Sequence, residues 1–320
     1  MNAAVKNYPV TVRDGHVYAP CLGWYLDVPT PREEAFISHA HRDHFAPHLI
    51  GHCTLETAVL LEDLRDAPKK LQTYRMHQRF EKKGYAFTFL PAGHIPGSAQ
   101  LLLEADESVV LFSGDVRLSG SRTCPAASTP RADLLIMEGT YVEGTYRHLT
   151  LEEAESRALS FLLSCKAEGA YPVFVVMSRV GKAQDLVLHL GSCGYVGALP
   201  AGLFRMTESM RKAGVALPSV IPWKAGSPLR GDFMVVTRSL LTYQRQSMSR
   251  EGARFAFVSG WAADRGGSWD ARIPMSDHAD TGDLITFIER VSPQEVWTFA
   301  DRGRFAARLR KLGIKARSLD

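Results

Sequence analysis

Between Ser38 and His44 the chain reads SHAHRDH, which places three of its eleven histidines and one aspartate within six residues. In an extended segment, residues i and i+2 point to the same side. His39 and His41, leaving a strand at Ala35–Ser38, can therefore grip one ion. Asp43 and His44 follow as the chain turns toward a helix, and face a neighbouring position. Imidazole and carboxylate ligands suit zinc, manganese or iron, and two ligand sets suggest two metals side by side. Chance would assemble HxHxDH in a chain of this composition roughly 7 times in ten thousand, so the cluster needs a chemical explanation.

Two metals need further ligands, and strand ends are where they are expected. PAGHIPGSAQ sets His94 after a strand at Tyr85–Leu90, among small residues. LFSGD ends in Asp115, where Gly114 lets the backbone approach closely. YLD ends in Asp27, a carboxylate suited to orient a ligand imidazole from behind.

The elements that must hold these residues can be read from apolar patterning. WYLD, AFIS, YAFTFL, QLLLE, VVLFSGD and LLIMEGT are apolar runs or alternations of strand length. Residues 54–67 read as a helix that Pro68 stops. The rhythm changes after residue 145. Thr150–Gly169 opens with the capping box Thr150-x-x-Glu153 and closes on a glycine. Strands and helices then alternate, as in an α/β unit with a parallel sheet. A helix at TGDLITFIERV, a strand at EVWTFA and a helix at RFAARLRKLG finish the chain. The simplest division is a strand-rich domain over 1–145, an α/β insert over 146–269, and a return to the first domain over 270–320.

Bulk properties narrow the function class. Of 320 residues, 45% are hydrophobic and 22% charged, as expected of a globular chain and not of a disordered one. No apolar run reaches the roughly 20 residues of a membrane span. The N-terminal stretch MNAAVKNYPVTVRDG lacks the apolar centre of a signal peptide, so a cytoplasmic location is expected. Five scattered cysteines without a CxxC pair argue against a disulfide framework and against a thiolate zinc site. A net charge of +4 permits a polyanionic partner without demanding one. The basic run from Arg302 to Arg317 reads as a solvated helix face, and Trp223, Trp261 and Trp269 as core or turn packing.

Together these motifs resemble those of a known family. SHAHRDH, AGHIPGSAQ and FSGD resemble motifs two to four of the metallo-β-lactamase superfamily, and Asp27 its motif one. LLIMEGTY resembles motif A of the β-CASP nucleases, carried by Glu138. MSRVGKAQDL resembles their Gly-Lys/Arg-Ala-Gln segment, and IPMSDHADTGDL their motif B, carried by His278. The order and spacing resemble the short bacterial branch of ligase-associated DNA exonucleases, also described as messenger-RNA 3′-end-processing-like exonucleases.

The resemblance implies a four-layer αββα metallo-β-lactamase fold with an inserted α/β β-CASP domain. It implies that His39, His41, His94 and Asp115 hold a first metal, and that Asp43, His44 and a bridging Asp115 hold a second. A metal-activated water would attack phosphorus, with Asp43 taking part and His278, hydrogen-bonded to Glu138, as proton donor or phosphate contact. Ser178, Arg179, Gly181 and Lys182, at a strand-to-helix junction, would bind substrate phosphate. The expected substrate is a single strand or strand end of nucleic acid, DNA ahead of RNA, and a DNA ligase or helicase is an expected partner. A small-molecule metallohydrolase, lactonase-like or thioesterase-like, shares the metal motifs, because a fold does not fix a substrate.

One motif departs from the family pattern. The histidine of motif C is absent: Phe299, Ala300 or Asp301 stands in its place, and no histidine follows His278. Artemis-like DNA nucleases also lack it. One tightly held zinc and a weaker second ion, zinc or manganese, are therefore expected, with Asp301 read as a surface carboxylate at a strand end.

Overall fold

The computed structural model describes residues 8–105, 107–142, 148–263 and 266–320. The first seven residues of the N-terminal stretch and the expected junction at 145/146 lie outside them. The chain divides into two units. Unit 1 takes the described residues of Met1–Gly120, Pro125–Tyr146 and His278–Asp320, and unit 2 those of Ser121–Cys124 and Arg147–Asp277.

Unit 1 begins with β1 (Thr11–Arg13), β2 (His16–Ala19), β3 (Trp24–Leu26), β4 (Glu34–Phe36), β5 (Ile50–Thr54), α1 (Leu55–Glu62) and β6 (Lys70–Tyr74). These six strands form one sheet in sequence order. β7 (Arg79–Lys82), β8 (Tyr85–Pro91), β9 (Ala99–Ala105), β10 (Ser108–Phe112) and β11 (Leu134–Glu138) follow. In unit 2 come α2 (Leu151–Ala167), β12 (Tyr171–Val176), α3 (Lys182–Ser192), β13 (Gly197–Pro200), α4 (Ala201–Lys212), β14 (Ile221–Trp223), β15 (Phe233–Thr237), α5 (Arg238–Arg250), β16 (Ala253–Val258) and β17 (Ala271–Ile273). The chain returns to unit 1 with α6 (Thr281–Val291), β18 (Glu295–Phe299), α7 (Arg304–Lys311) and β19 (Ala316–Ser318). β18 and β19 join the second sheet, whose order is β19-β18-β11-β10-β9-β8-β7.

Apolar patterning explains how unit 1 packs. Trp24 and Phe36 of the first sheet share one core with Phe87, Phe89 and Phe112 of the second. Trp24 meets Phe87, and Phe36 meets Phe89, with ring centroids 5.0 Å apart in both pairs. The centre of the second sheet is covered on its other face too. Val110, Phe112, Leu134 and Ile136 point into the shared core. Leu111, Leu135 and Met137 pack with Phe287 of α6 and Phe305 of α7. That is why LLIME and VVLF are continuous apolar runs without polar alternation. Each large side chain so buried contributes about 1.5–3 kcal/mol.

In unit 2 a sheet of order β14-β13-β15-β12-β16-β17 is parallel throughout. Phe174 and Val235 pack under α2 and α3 together with Leu203 of α4, whereas Val175 and Met234 meet Leu241 and Met248 of α5 on the opposite face. α2 starts with the expected capping box, both hydrogen bonds between Thr150 and Glu153 being present.

Two local expectations are corrected. The helix expected over 54–67 ends at Glu62, and Asp66 adopts a left-handed φ of 64°. No helix follows SHAHRDH; residues 42–44 turn, with the His44 N–H donating to the His41 carbonyl at 3.1 Å. Pro47 stands where a helix started there would need an N–H donor. None of the five cysteines is in a disulfide. Among the described residues no helix is long and apolar enough to cross a membrane.

Candidate metal centre

Strand direction gathers the singled-out residues of unit 1. β3 and β4 are parallel, so Asp27 and the SHAHRDH segment leave the first sheet at the same edge. β10, β11 and β18 are parallel to one another. β8 runs the same way, because β9 is antiparallel to both β8 and β10. His94, Asp115, Glu138 and the Phe299–Asp301 segment therefore also share one edge. Gly114, with φ 56°, lets the two sheets' loops approach closely: a Cβ there would lie 2.6 Å from Ser38 Cβ.

His39, His41, His94 and Asp115 each place one ligand atom within 4.8 Å of the others. His94 Nε2 lies 2.9 Å from His41 Nδ1 and 3.6 Å from Asp115 Oδ2. His39 is fully buried; Ser38 Oγ holds its Nδ1 at 2.9 Å, and its Nε2 has no hydrogen bond. A buried nitrogen left in that state costs about 1–3 kcal/mol. A divalent cation facing three imidazoles and a carboxylate removes the cost, and that donor set suits zinc or a similar transition metal. The residues present fit a metal.

His44 stands beside this group. Its Nδ1 is 2.9 Å from Asp27 Oδ2, and its Nε2 is 3.3 Å from Asp115 Oδ2. Asp27 is pinned in turn, accepting from the Ser38 N–H at 2.7 Å and the Ser38 hydroxyl at 2.5 Å. Burial opposes protonation of His44, but Asp115 and Asp27 outweigh it and hold its pKa well above the usual value. Burial likewise opposes ionisation of Asp115; His44 and His278, with a smaller contribution from His39, still hold its carboxyl well below the ordinary range. His39 goes the other way, because burial and then the neighbouring His44 and His94 disfavour its charge. Asp43 differs from all of these. Its carboxylate is 82% exposed and lies 3.7 Å from His44 Nε2.

Glu138 and His278, 140 residues apart in sequence, form a second pair. His278 Nδ1 is 3.0 and 2.9 Å from the two Glu138 oxygens. Glu138 is fully buried and also accepts from the Val116 N–H at 2.7 Å. This leaves His278 Nε2 turned toward the cluster, 3.9 Å from Asp115 Oδ2. A cavity of about 550 Å³ opens over these groups, lined among others by His41, Asp43, His44, Asp115, Thr140 and His278.

The motif C position is filled differently. Phe299 stacks on Phe112, with centroids 5.6 Å apart, and lines the same cavity with Ala300. Asp301 was expected to be a surface carboxylate, and this is corrected: it is buried. Its oxygens accept from the Thr298 hydroxyl and from the N–H groups of Gly303, Phe305 and Ala306. The side chain is used up by the turn into α7. Sequence reasoning also passed over Asp320, whose carboxylate accepts from the N–H groups of Ala300, Asp301 and Arg302 at 3.0, 2.7 and 2.6 Å. No sequence signal marks it.

The four residues expected at substrate fall in unit 2. Gly181, with φ 98°, caps α3, and Ser178 Oγ accepts from the Val180 N–H. Arg179 is exposed. Lys182 is buried, its ammonium 2.5 Å from Asp277 Oδ1. Its charge is thus matched inside the unit. Gln184, quoted in the motif but given no role, ties the turn together: its amide accepts from the Gly181 N–H and donates to the Arg179 carbonyl.

No family model matches the chain. A probable DNA ligase of Opitutus terrae is 33% identical over 327 residues, covering 96% of this chain and 31% of that protein. An RNase J-like protein of Methanocaldococcus jannaschii is 28% identical, covering 60% of this chain and 51% of its own length. The 5′ exonuclease Apollo of Gallus gallus is 28% identical, with 60% and 42% covered. The chain thus spans from under a third to about half of these relatives' lengths. A crystal structure of a protein of unknown function from Enterococcus faecalis is similar in fold, with a TM-score of 0.51 at 14% identity over 83% of this chain and 74% of that one. With its unit 1 motifs gathered at matching sheet edges, a relative matched over 96% of its length and nuclease relatives over 60% of it, the chain belongs to the metallo-β-lactamase superfamily, in the β-CASP nuclease group.

Proposed function

We propose that the chain is a metal-dependent nuclease that hydrolyses phosphodiester bonds, acting as an exonuclease on a single DNA strand. One observation carries the reading above the others: a buried imidazole nitrogen of His39 without a hydrogen bond, caged by His41, His94 and Asp115. His39, His41, His94 and Asp115 would hold the first ion, zinc by its donors. His44, with Asp43 and a share of Asp115, would hold a second and weaker one, zinc or manganese. Such ions supply a nucleophile from water at neutral pH and neutralise phosphoryl charge.

The chain's own side chains supply the remaining steps. Asp27 fixes the His44 ring through Nδ1, so that Nε2 faces the site. Glu138 accepts from His278 Nδ1 and fixes the ring, so that Nε2 faces the site and would give a proton to the leaving oxygen. Exposed Arg179 contacts a phosphate, while Ser178 and Gly181 shape its turn. Lys182 acts through Asp277, holding the residue that precedes His278 in the chain.

Several broader readings belong to the same proposal. Unit 1 is taken as the four-layer αββα fold; one shared core between its sheets, and α6 and α7 on the far face of the second, support this. Residues 146–269 are taken as the β-CASP insert and 1–145 with 270–320 as the catalytic domain. DNA is preferred because a relative matched over 96% of this chain bears the name of a DNA ligase, which also suggests a ligase as working partner. RNA is the second reading, favoured by the RNase J-like relative.

The test is direct. Purified protein loaded with zinc or manganese is incubated with end-labelled single-stranded DNA, duplex DNA and RNA, and product sizes are read. Mononucleotides or a ladder from single-stranded DNA are expected. Turnover of lactones or thioesters with every nucleic acid left intact would replace the proposal with a small-molecule hydrolase. His278→Ala should lower turnover by about 10²–10⁴-fold with metal content unchanged; loss of an ion instead would make His278 a ligand.

A further inference from the structure

Unit 2 contains a cavity of about 710 Å³, larger than the one over the histidine cluster. It opens beyond the carboxyl ends of β13 and β15, with the first turns of α4 and α5 as its walls. Those two strands are parallel neighbours. The helices that follow them take opposite faces of the sheet, α4 through Leu203 and α5 through Leu241 and Met248. Where successive helices diverge in this way, a parallel sheet leaves a crevice outside its strand ends, and ligands of open α/β sheets bind there.

The lining states the ligand's charge. Arg179, Arg205 and Lys224 contribute to it, and aspartate and glutamate do not. Neither helix has an acidic residue in its first turn. Gly202 lets the Arg179 side chain lie against the start of α4: a Cβ there would be 3.3 Å from the guanidinium Nε. Most of the rest of the wall is apolar, with Phe204, Trp223 and Leu240, and Thr237 and Ser239 add hydroxyls. At its edge the Tyr243 ring is 83% exposed. Cations beside an uncovered aromatic ring match the phosphate and the base of a nucleotide.

We propose that this crevice binds one nucleotide of a single-stranded nucleic acid, with the base on Tyr243 and the phosphates on Arg205, Lys224 and Arg179. The identity of the strand rests on the nuclease reading; the crevice adds a contact site in unit 2 that the reaction itself does not require.

The test measures binding, not turnover. Anisotropy of a fluorescein-labelled twelve-residue oligothymidylate is followed in chelator, so that no cleavage occurs. Tyr243→Ala should weaken binding about tenfold, with Tyr243→Phe restoring most of it. Arg205→Ala/Lys224→Ala should reduce the slope of log Kd against log salt by about 0.7 for each cation removed. Thermal unfolding of each variant within a few degrees of the parent keeps the comparison fair, since all three side chains are exposed. Unchanged affinity and salt slope in both variants, with the parent binding and cleaving DNA, would overturn the crevice alone. A parent that binds no strand would overturn the nuclease reading with it. Trp223 emission that responds to thymidine monophosphate while strand affinity is unchanged in the variants would make this a mononucleotide site and also end the proposal.

Discussion

Both units end a set of parallel strands at a cavity, yet the loops beyond the strands do opposite things. In unit 1 they turn imidazoles and carboxylates inward, bury them, and leave His39 Nε2 without a hydrogen bond. That arrangement suits a cation. In unit 2 the strands run into two helix starts flanked by Arg179, Arg205 and Lys224. That arrangement suits an anion. The same sheet geometry therefore serves opposite charges, and what decides is which side chains the first residues after each strand present. On the nuclease reading proposed above the two are complementary: one region would neutralise and attack a phosphate, the other would hold a strand.

The contrast is broken most severely at Asp115. Asp115→Asn should reduce nuclease activity by about four orders of magnitude and lower the bound metal measured by atomic absorption, because it faces His39, His44 and His94 at once. Full activity after chelation and repletion would end the metal reading. In unit 2 the largest effect is on stability. Lys182→Ala strands the Asp277 charge in the interior and should cost about 3–5 kcal/mol in denaturant unfolding. Lys182→Met/Asp277→Asn should recover much of it, a recovery that a phosphate-contact role for Lys182 would not produce.

Acid should act on unit 1 through His48. Burial, and then the charge of Arg32, push its pKa down to about 4. The folded state keeps the ring neutral while the unfolded chain protonates it near 6.5. Stability is therefore full above pH 6.5 and falls by about 3 kcal/mol as the pH drops toward 4. His48→Asn should flatten that part of a plot of unfolding free energy against pH; an unaltered slope would assign the acid sensitivity elsewhere. The smallest effect is expected from exposed Arg179. Arg179→Ala should weaken single-strand binding about threefold to tenfold at low salt and less at high salt. A salt-independent loss would mean that the side chain shapes the turn, not the electrostatics.

Particular residues mark how far the sequence could be read. SHAHRDH, His94 and Asp115 were legible as a candidate cluster because they set rare residue types at strand ends, and Val, Leu and Phe runs announce those strands. α2 was legible through its cap. α5 was not: only Leu241 and Met248 of its thirteen residues are buried, so its apolar stripe is too thin to see. The two aspartates that follow β10 and β18 show the limit most clearly. Asp115 and Asp301 look alike in sequence, each close behind an apolar strand. Asp115 points into the cluster, whereas Ala300 and Arg302 take left-handed φ values of 58° and 50° and turn Asp301 back onto α7.

The sequence by itself determined the family, the candidate ligand residues and the order of the strands that carry them, because residue chemistry and apolar period are local properties. Tertiary structure alone decided other meetings. It gave Lys182 to Asp277 and withdrew Asp301 into a turn. It also opened the crevice between α4 and α5. Each of these depends on strand order, on helix side or on a backbone dihedral, and a linear spacing does not encode where such choices place a side chain.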